Sequence, residues 1–447
     1  MSAMFRSFSV FNYRVWFIGA LVSNIGTWMQ STALSWVVLT ELTDGDAGAM
    51  GLTMGLQFAP PLLLVSVTGW FADRFDRRRL LLVTQVLLLL LGVAVGALLL
   101  AGLMTLPLMY VFAFALGLVA AFDAPARQAF VSDLVALENA SNAVALNAAS
   151  FNGARMIGPA VAGVVIVAVG TGWVFLINAL TFLAMIVALS LIRVDELIPR
   201  ARMAGRSRLT DGMRYVAGRA DLVVTFTMVF LLGAFGMNFP IFASTMALEF
   251  GHDADGYGLL SSILAIGSLA GALLAARRDR ARIRLVIAGA GMFAGAITVS
   301  AFMPTYWLYA FVLVFTGFAV VTTLTTANGY VQTTTDPALR GRVMALYMAI
   351  LMGGTPIGAP IVGWVAAQFG PRAAILMGGA TAFLAFAVGL VWLVTSGRLH
   401  REEGRRFALT LDETRPMPII AREEFSDEVA GTTAIPVAEV TRPVRTE

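Results

Sequence analysis

Long apolar runs joined by short polar segments constrain this chain more than any other feature. A window of roughly 20 residues, the length an apolar helix needs to cross the hydrocarbon of a bilayer, predicts about twelve spans. They fall at 14–40, 49–72, 80–103, 107–123, 142–168, 171–193, 221–247, 257–276, 283–303, 306–329, 342–368 and 372–396. A soluble sheet or barrel would show turn signals every ten residues or so, and these runs do not. With 58% hydrophobic residues and only 13% charged ones, the chain has too little charge to cover a soluble surface, so the expected fold is an all-α polytopic membrane protein whose outer face meets lipid. The N-terminal "MSAMFRSFSVFNYRVWF" lacks a small-residue cleavage site and leads into an apolar stretch too long for a signal-peptide core, so it reads as an uncleaved cytoplasmic start.

The basic residues set the expected orientation. All 31 are arginine, and the net charge of +4 calls for no nucleic-acid partner. Arg6, the cluster Arg74 to Arg79, Arg127, the string from Arg193 to Arg219, Arg277 to Arg284, Arg340 and Arg342 lie on one side of the alternating pattern. Facing loops hold only Arg372, against Glu41, Asp44, Asp46, Glu249, Asp253 and Asp255. Cytoplasmic loops of membrane proteins carry the excess of positive residues, so the arginine-rich side is assigned to the cytoplasm, with both termini there.

Shifting the chain by about two hundred residues superimposes related segments. "GWFADRFDRRR" meets "GALLAARRDRAR", and "NAVALNAASFNGARMIGPAVAGVV" from Asn142 meets "RVMALYMAILMGGTPIGAPIVGWV" from Arg342, pairing Gly153, Gly158 and Gly163 with Gly353, Gly358 and Gly363. Two pseudo-symmetric halves of six helices are expected, 1–193 and 221–396, with 194–220 as a basic cytoplasmic linker and 397–447 as a polar, disordered cytoplasmic tail. Parallel repeats with a binding site between them are a transporter architecture.

The loop between the second and third spans carries Gly69, Asp73, Arg74, Arg77 and Arg78, and this pattern resembles the hallmark loop of the major facilitator superfamily, with Asp76 in place of the usual second glycine. "NYRVWFIGALVSNIGTWMQ", "DAPARQAFVSDLV" and "NAVALNAASFNGARMIGP" are further similar to its enterobactin-exporter-like branch of drug and siderophore efflux proteins. The resemblance covers about residues 10–396 and implies a multi-pass protein of a bacterial cell (inner) membrane. It implies the major facilitator fold and a conformational latch in which Asp73 meets the start of the eleventh span, near Gly341 to Val343. A carboxylate is stabilised at such a helix N-terminus. Arg77 is expected to pair with Asp123, read as the cytoplasmic end of the fourth span. Gly158, Pro159 and Gly163 resemble the efflux signature of the fifth span, with Ala162 and Gly163 where a Gly-Gly pair is usual.

Within the fifth span, Asn147, Asn152 and Arg155 share an arc of about 140° at about 100° per residue. Arg155 lies deep in the span with no carboxylate predicted nearby, which leaves two readings open: it binds an anionic or polar substrate group, or it satisfies backbone carbonyls at a broken helix. Asn24 and Trp28 in the first span and Asn238 in the interrupted seventh complete the cavity candidates, each equally able to make an interhelical hydrogen bond. Cysteine is absent, the only histidines are His252 and His400, and no paired carboxylates or nucleophile motif appear, so neither an enzyme nor a metal or cofactor site is expected. The expected function is secondary transport by alternating access in a monomer: export of amphipathic small molecules, with protons as the coupling ion implied by the resemblance. Coupled uptake is the alternative. Asp123, Asp73 and Glu41 are the titrating candidates.

Overall fold

The structure is a computed structural model that describes residues 3–198, 209–277, 281–396, 399–401 and 409–411. Twelve crossings are present among these residues. The first is α1 (Phe11–Trp36), which closes on a π turn at Val37–Glu41. The second is split into α2 (Ala47–Leu63) and α3 (Val65–Arg74). Pro60 and Pro61 cannot donate backbone hydrogen bonds, and the helix is interrupted three residues on, at Leu64. Then follow α4 (Arg77–Leu100), α5 (Leu106–Asp133), α6 (Ala140–Val169) and α7 (Thr171–Leu191).

After the linker helix α8 (Leu209–Ala217), the seventh crossing runs through α9 (Ala220–Leu231), a π turn at Leu232–Gly236 and α10 (Phe239–Glu249). The remaining crossings are α11 (Ala254–Ala276), α12 (Ile283–Ala301), α13 (Tyr306–Thr334), α14 (Arg340–Phe369) and α15 (Pro371–Thr395). The fourth crossing corrects the sequence reading. Asp123 is not at its end but ten residues inside, because the helix continues through Pro125 to Asp133. The expected disordered tail lies largely outside the described residues; within it Leu399–Arg401 and Leu409–Leu411 pair as a two-stranded ladder.

Lipid offers no hydrophobic drive for one apolar helix to seek another, so close approach through small residues holds such bundles together. Here glycine provides it, and the same contact recurs in both halves. Gly117 of α5 sits on the Gln57 carbonyl of α2, and Gly317 of α13 sits on the Leu264 carbonyl of α11. Helix α1 packs on α7 where Gly26 faces Asn178 and Thr181, and the Asn178 amide donates to Gln30 at 2.6 Å. Large apolar side chains such as Val164, Trp364 and Phe311 remain more than half exposed, as a lipid-facing surface requires.

Candidate functional site: a central arc between the halves

The direction in which α6 points its side chains is fixed by its neighbours. Gly158 packs against Ile25, Trp28 and Met29 of α1, while Pro159 and Gly163 pack against Gly258 and Ala254 of α11. At about 100° per residue, and with Arg155 taken as zero, those contacts lie at about 300° for α1 and about 40–80° for α11. Arg155 therefore points between a helix of the first half and a helix of the second. Val144, Ala148 and Asn152 fall within about 60° of the same direction.

Helix α14 repeats the arrangement. Gly354 and Gly358 pack on Ala234 in the π turn of the seventh crossing, and Ala359 and Gly363 pack on Gly51 of α2. Thr355 then takes the place of Arg155, and Met344, Met348 and Met352 take those of Val144, Ala148 and Asn152. Val144, Met348 and Met352 are each 49% exposed, whereas Pro159, Gly163, Ala359 and Gly363, further along the same two helices, are buried. The two halves thus meet at the acidic end and diverge toward the arginine-rich end, leaving a central opening lined by these two arcs.

The closure at the acidic end is also a repeated contact. A side chain on Gly51 would strike the Ala359 carbonyl and Gly363, and one on Gly258 would strike the Pro159 carbonyl and Gly163. Both crossings are backbone against backbone.

Around the arc the candidate residues group unevenly. Arg155 is partly exposed and makes no hydrogen bond or ion pair with any described residue; α6 is unbroken through Pro159, so the carbonyl-satisfying alternative finds no contact. Asn152 donates to the Ala148 carbonyl at 2.9 Å. Trp28 and Phe151 meet edge to face at 5.7 Å where α1 and α6 pack, and Asn24 lies one turn from Trp28 toward the arginine-rich end, level with Arg155. Asn147 also has no hydrogen-bond partner among the described residues. Asn238 belongs to the other half. It precedes α10 at the N-cap position without bonding to that helix through its side chain; its amide donates to the Ala234 carbonyl at 2.6 Å, and its Oδ1 is buried with no partner among the described residues.

At the arginine-rich end the expected Arg77 to Asp123 pair is replaced by another. Arg77 Nη1 donates to both oxygens of Asp133, at 2.7 and 2.9 Å. Asp123, buried inside α5, instead accepts from Thr84 at 2.7 Å, Gln85 at 2.8 Å and Arg127 at 3.0 Å. Sequence reasoning missed Asp133 because it ended the fourth span at the first charge. Arg78 donates to the Leu189 carbonyl of α7 at 2.8 Å, and Asp76 caps α4 through the Arg79 amide. Gly69 has open space where a Cβ would lie. Asp73 and Arg74 close α3, and the Asp73 side chain lies outside what the structure describes. At the start of α14, Asp211 of α8 pairs with Arg342 at 3.1 Å, and Gly212 rests on Arg342. Glu41, at the acidic end, accepts from Thr171 at 2.7 Å.

A family model described as transmembrane secretion effector matches residues 2–408. The chain is 24% identical over 396 residues to the enterobactin exporter EntS of Citrobacter koseri, covering 87% of this chain and 92% of that protein. It is 26% identical over 376 residues to the multidrug efflux pump Tap of Mycolicibacterium fortuitum, covering 80% and 90%. Among solved structures, a D-xylose-proton symporter superimposes with a TM-score of 0.68 at 15% identity, over 84% of this chain and 96% of that one, a likeness of fold.

Proposed function

The chain belongs to the transmembrane secretion effector family of the major facilitator superfamily, and from that premise we propose that it is a proton-coupled secondary transporter exporting amphipathic small molecules by alternating access. The fold and family are those of membrane transporters. The observation that carries this reading is the one-sided central opening, closed at the acidic end by repeated glycine contacts and lined by an arginine with no partner among the described residues. The positive-inside rule assigns the arginine-rich end to the cytoplasm, so the state described here faces inward.

A substrate enters between the arcs of α6 and α14 and its anionic group pairs with Arg155. Residues 1–193 and 221–396 then rock against each other about this site, the glycine contacts at the acidic end part, and the loop carrying Asp73, Arg77 and Arg78 closes the cytoplasmic side. Asn24, Trp28, Asn147, Asn152 and Asn238 line or support the site, and Gly158, Pro159 and Gly163 form the packing surface on which α6 turns. Asp123 is the carboxylate we assign to coupling, because it is buried within a span and bonded to three donors that a conformational change can withdraw.

Efflux relatives favour export over coupled uptake. Inverted and right-side-out membrane vesicles decide the direction. Export predicts accumulation of amphipathic acids in inverted vesicles driven by an acid interior; accumulation only in right-side-out vesicles with an acid exterior would establish uptake.

A further inference from the structure

The two arcs that face each other across the central opening occupy matched positions on repeat-related helices, yet their chemistry differs at every one. Val144, Ala148, Asn152 and Arg155 on α6 stand opposite Met344, Met348, Met352 and Thr355 on α14. Met348 and Met352 are 49% exposed although they lie in the middle of a spanning helix and point toward the opening rather than toward lipid. On the lipid side of the same helix stand Ile357, Ile361 and Trp364, with no methionine among them.

An exposed face needed only for lipid contact gains nothing from thioethers. Three methionines at i, i+4 and i+8 make instead an adaptable, polarisable surface. Sulfur favours contact with aromatic rings, at about 0.3–1.5 kcal/mol each. Opposite them, Arg155 supplies the cation, and the Trp28 and Phe151 rings flank the α6 side.

We propose that the methionine stripe of α14 is the specificity wall of the cavity, and that it selects aromatic anions: the acid group is held at Arg155 and the ring lies against Met344, Met348 and Met352. The proposal rests on the transport reading and deepens it by naming the substrate class. Asn152 replaces methionine on the α6 arc, so the ring has a favoured side and the substrate a defined orientation between the halves.

Equilibrium binding to purified protein in nanodiscs tests this with two probes of equal charge, 1-naphthoate and decanoate. Met348→Leu with Met352→Leu preserves apolar volume and removes both thioethers. Its 1-naphthoate affinity should fall by about threefold to tenfold, with decanoate changed less than about twofold. Copying the opposite arc, Met348→Ala with Met352→Asn, should weaken both probes and 1-naphthoate more. Because both side chains are exposed, the variants should keep the wild-type melting temperature, which is measured alongside. Equal loss for the two probes in the leucine variant, or unchanged 1-naphthoate affinity in either variant, overturns the aromatic wall. Vesicle transport on the same variants separates this from the wider reading. Selective loss of 1-naphthoate binding without proton-driven export of either probe by the wild type would refute export and leave the wall standing.

Discussion

An arginine inside a spanning helix must find a partner, water or a ligand, because its charge cannot be left in hydrocarbon at a cost of at least ~2.5 kcal/mol. Arg155 has no partner among the described residues and points between the halves, so its charge is available to a substrate. Arg155→Gln should lower the affinity for an amphipathic acid by about tenfold or more and leave the uncharged alcohol of the same skeleton within about twofold, since only the acid loses a Coulombic contact. Arg155→Lys should restore part of that loss, keeping the charge without the planar fork. Equal loss for acid and alcohol would make the arginine structural. Asp123 makes the opposite case, a charge whose partners are all present. Asp123→Asn strands Arg127, whose Nη1 is already buried with no partner among the described residues, and should destabilise the protein by about 3 kcal/mol. The double variant Asp123→Asn with Arg127→Gln should recover a large part of that, read as melting temperature in detergent.

At the scale of elements, the fold was legible where the hydropathy signal is strong, and the candidate residues were singled out where residue types are rare in membranes. Ten of the twelve spans of the sequence reading end within three residues of the observed crossings, the tenth stops five residues short of Thr334, and the fourth fails for a definite reason. A charge looked like a membrane boundary, but Thr84, Gln85 and Arg127 satisfy Asp123 within the bundle, and a single sequence does not display such partners. Conversely, Asn238 was legible as a break because Pro240 and two glycines lie beside it, and α10 begins at the next residue. The methionine stripe at Met344, Met348 and Met352 went unread in the sequence. Its meaning required the packing of Gly354 and Gly358 on one flank and Ala359 and Gly363 on the other, which fixes where the stripe points. Those glycines also carry a prediction. Gly258→Val drives a side chain into the Pro159 carbonyl and disfavours only the state in which α6 and α11 touch. Added methyl groups at such a crossing cost about 1–3 kcal/mol, enough to move a balanced equilibrium about fivefold or more toward the outward-open state. Spin-label distances across the acidic end should lengthen in Gly258→Val and stay unchanged in a control at Gly295, where the space is open.

For the whole molecule, the contacts at the two ends cannot all be made at once if the central arc is to serve both sides. The acidic end is closed by the glycine crossings, while at the arginine-rich end the start of α14 is paired with Asp211 of the linker helix, the place the latch reading gives to Asp73. Under the proposed alternating access a single site opens to one end at a time, and the loop at Gly69 to Arg78 biases which end. Because the chain contains no cysteine, one introduced thiol reports accessibility without background. Ala148→Cys places it on the central arc beside Arg155. A membrane-impermeant maleimide should label it rapidly from the arginine-rich side in inverted vesicles and at least about tenfold more slowly from the acidic side in right-side-out vesicles, as expected for a minor outward-open population. Substituting Asp73→Asn in that background should slow labelling from the acidic side further. Rapid labelling from both sides that Asp73→Asn leaves unchanged on each would contradict alternating access and describe a continuous pore.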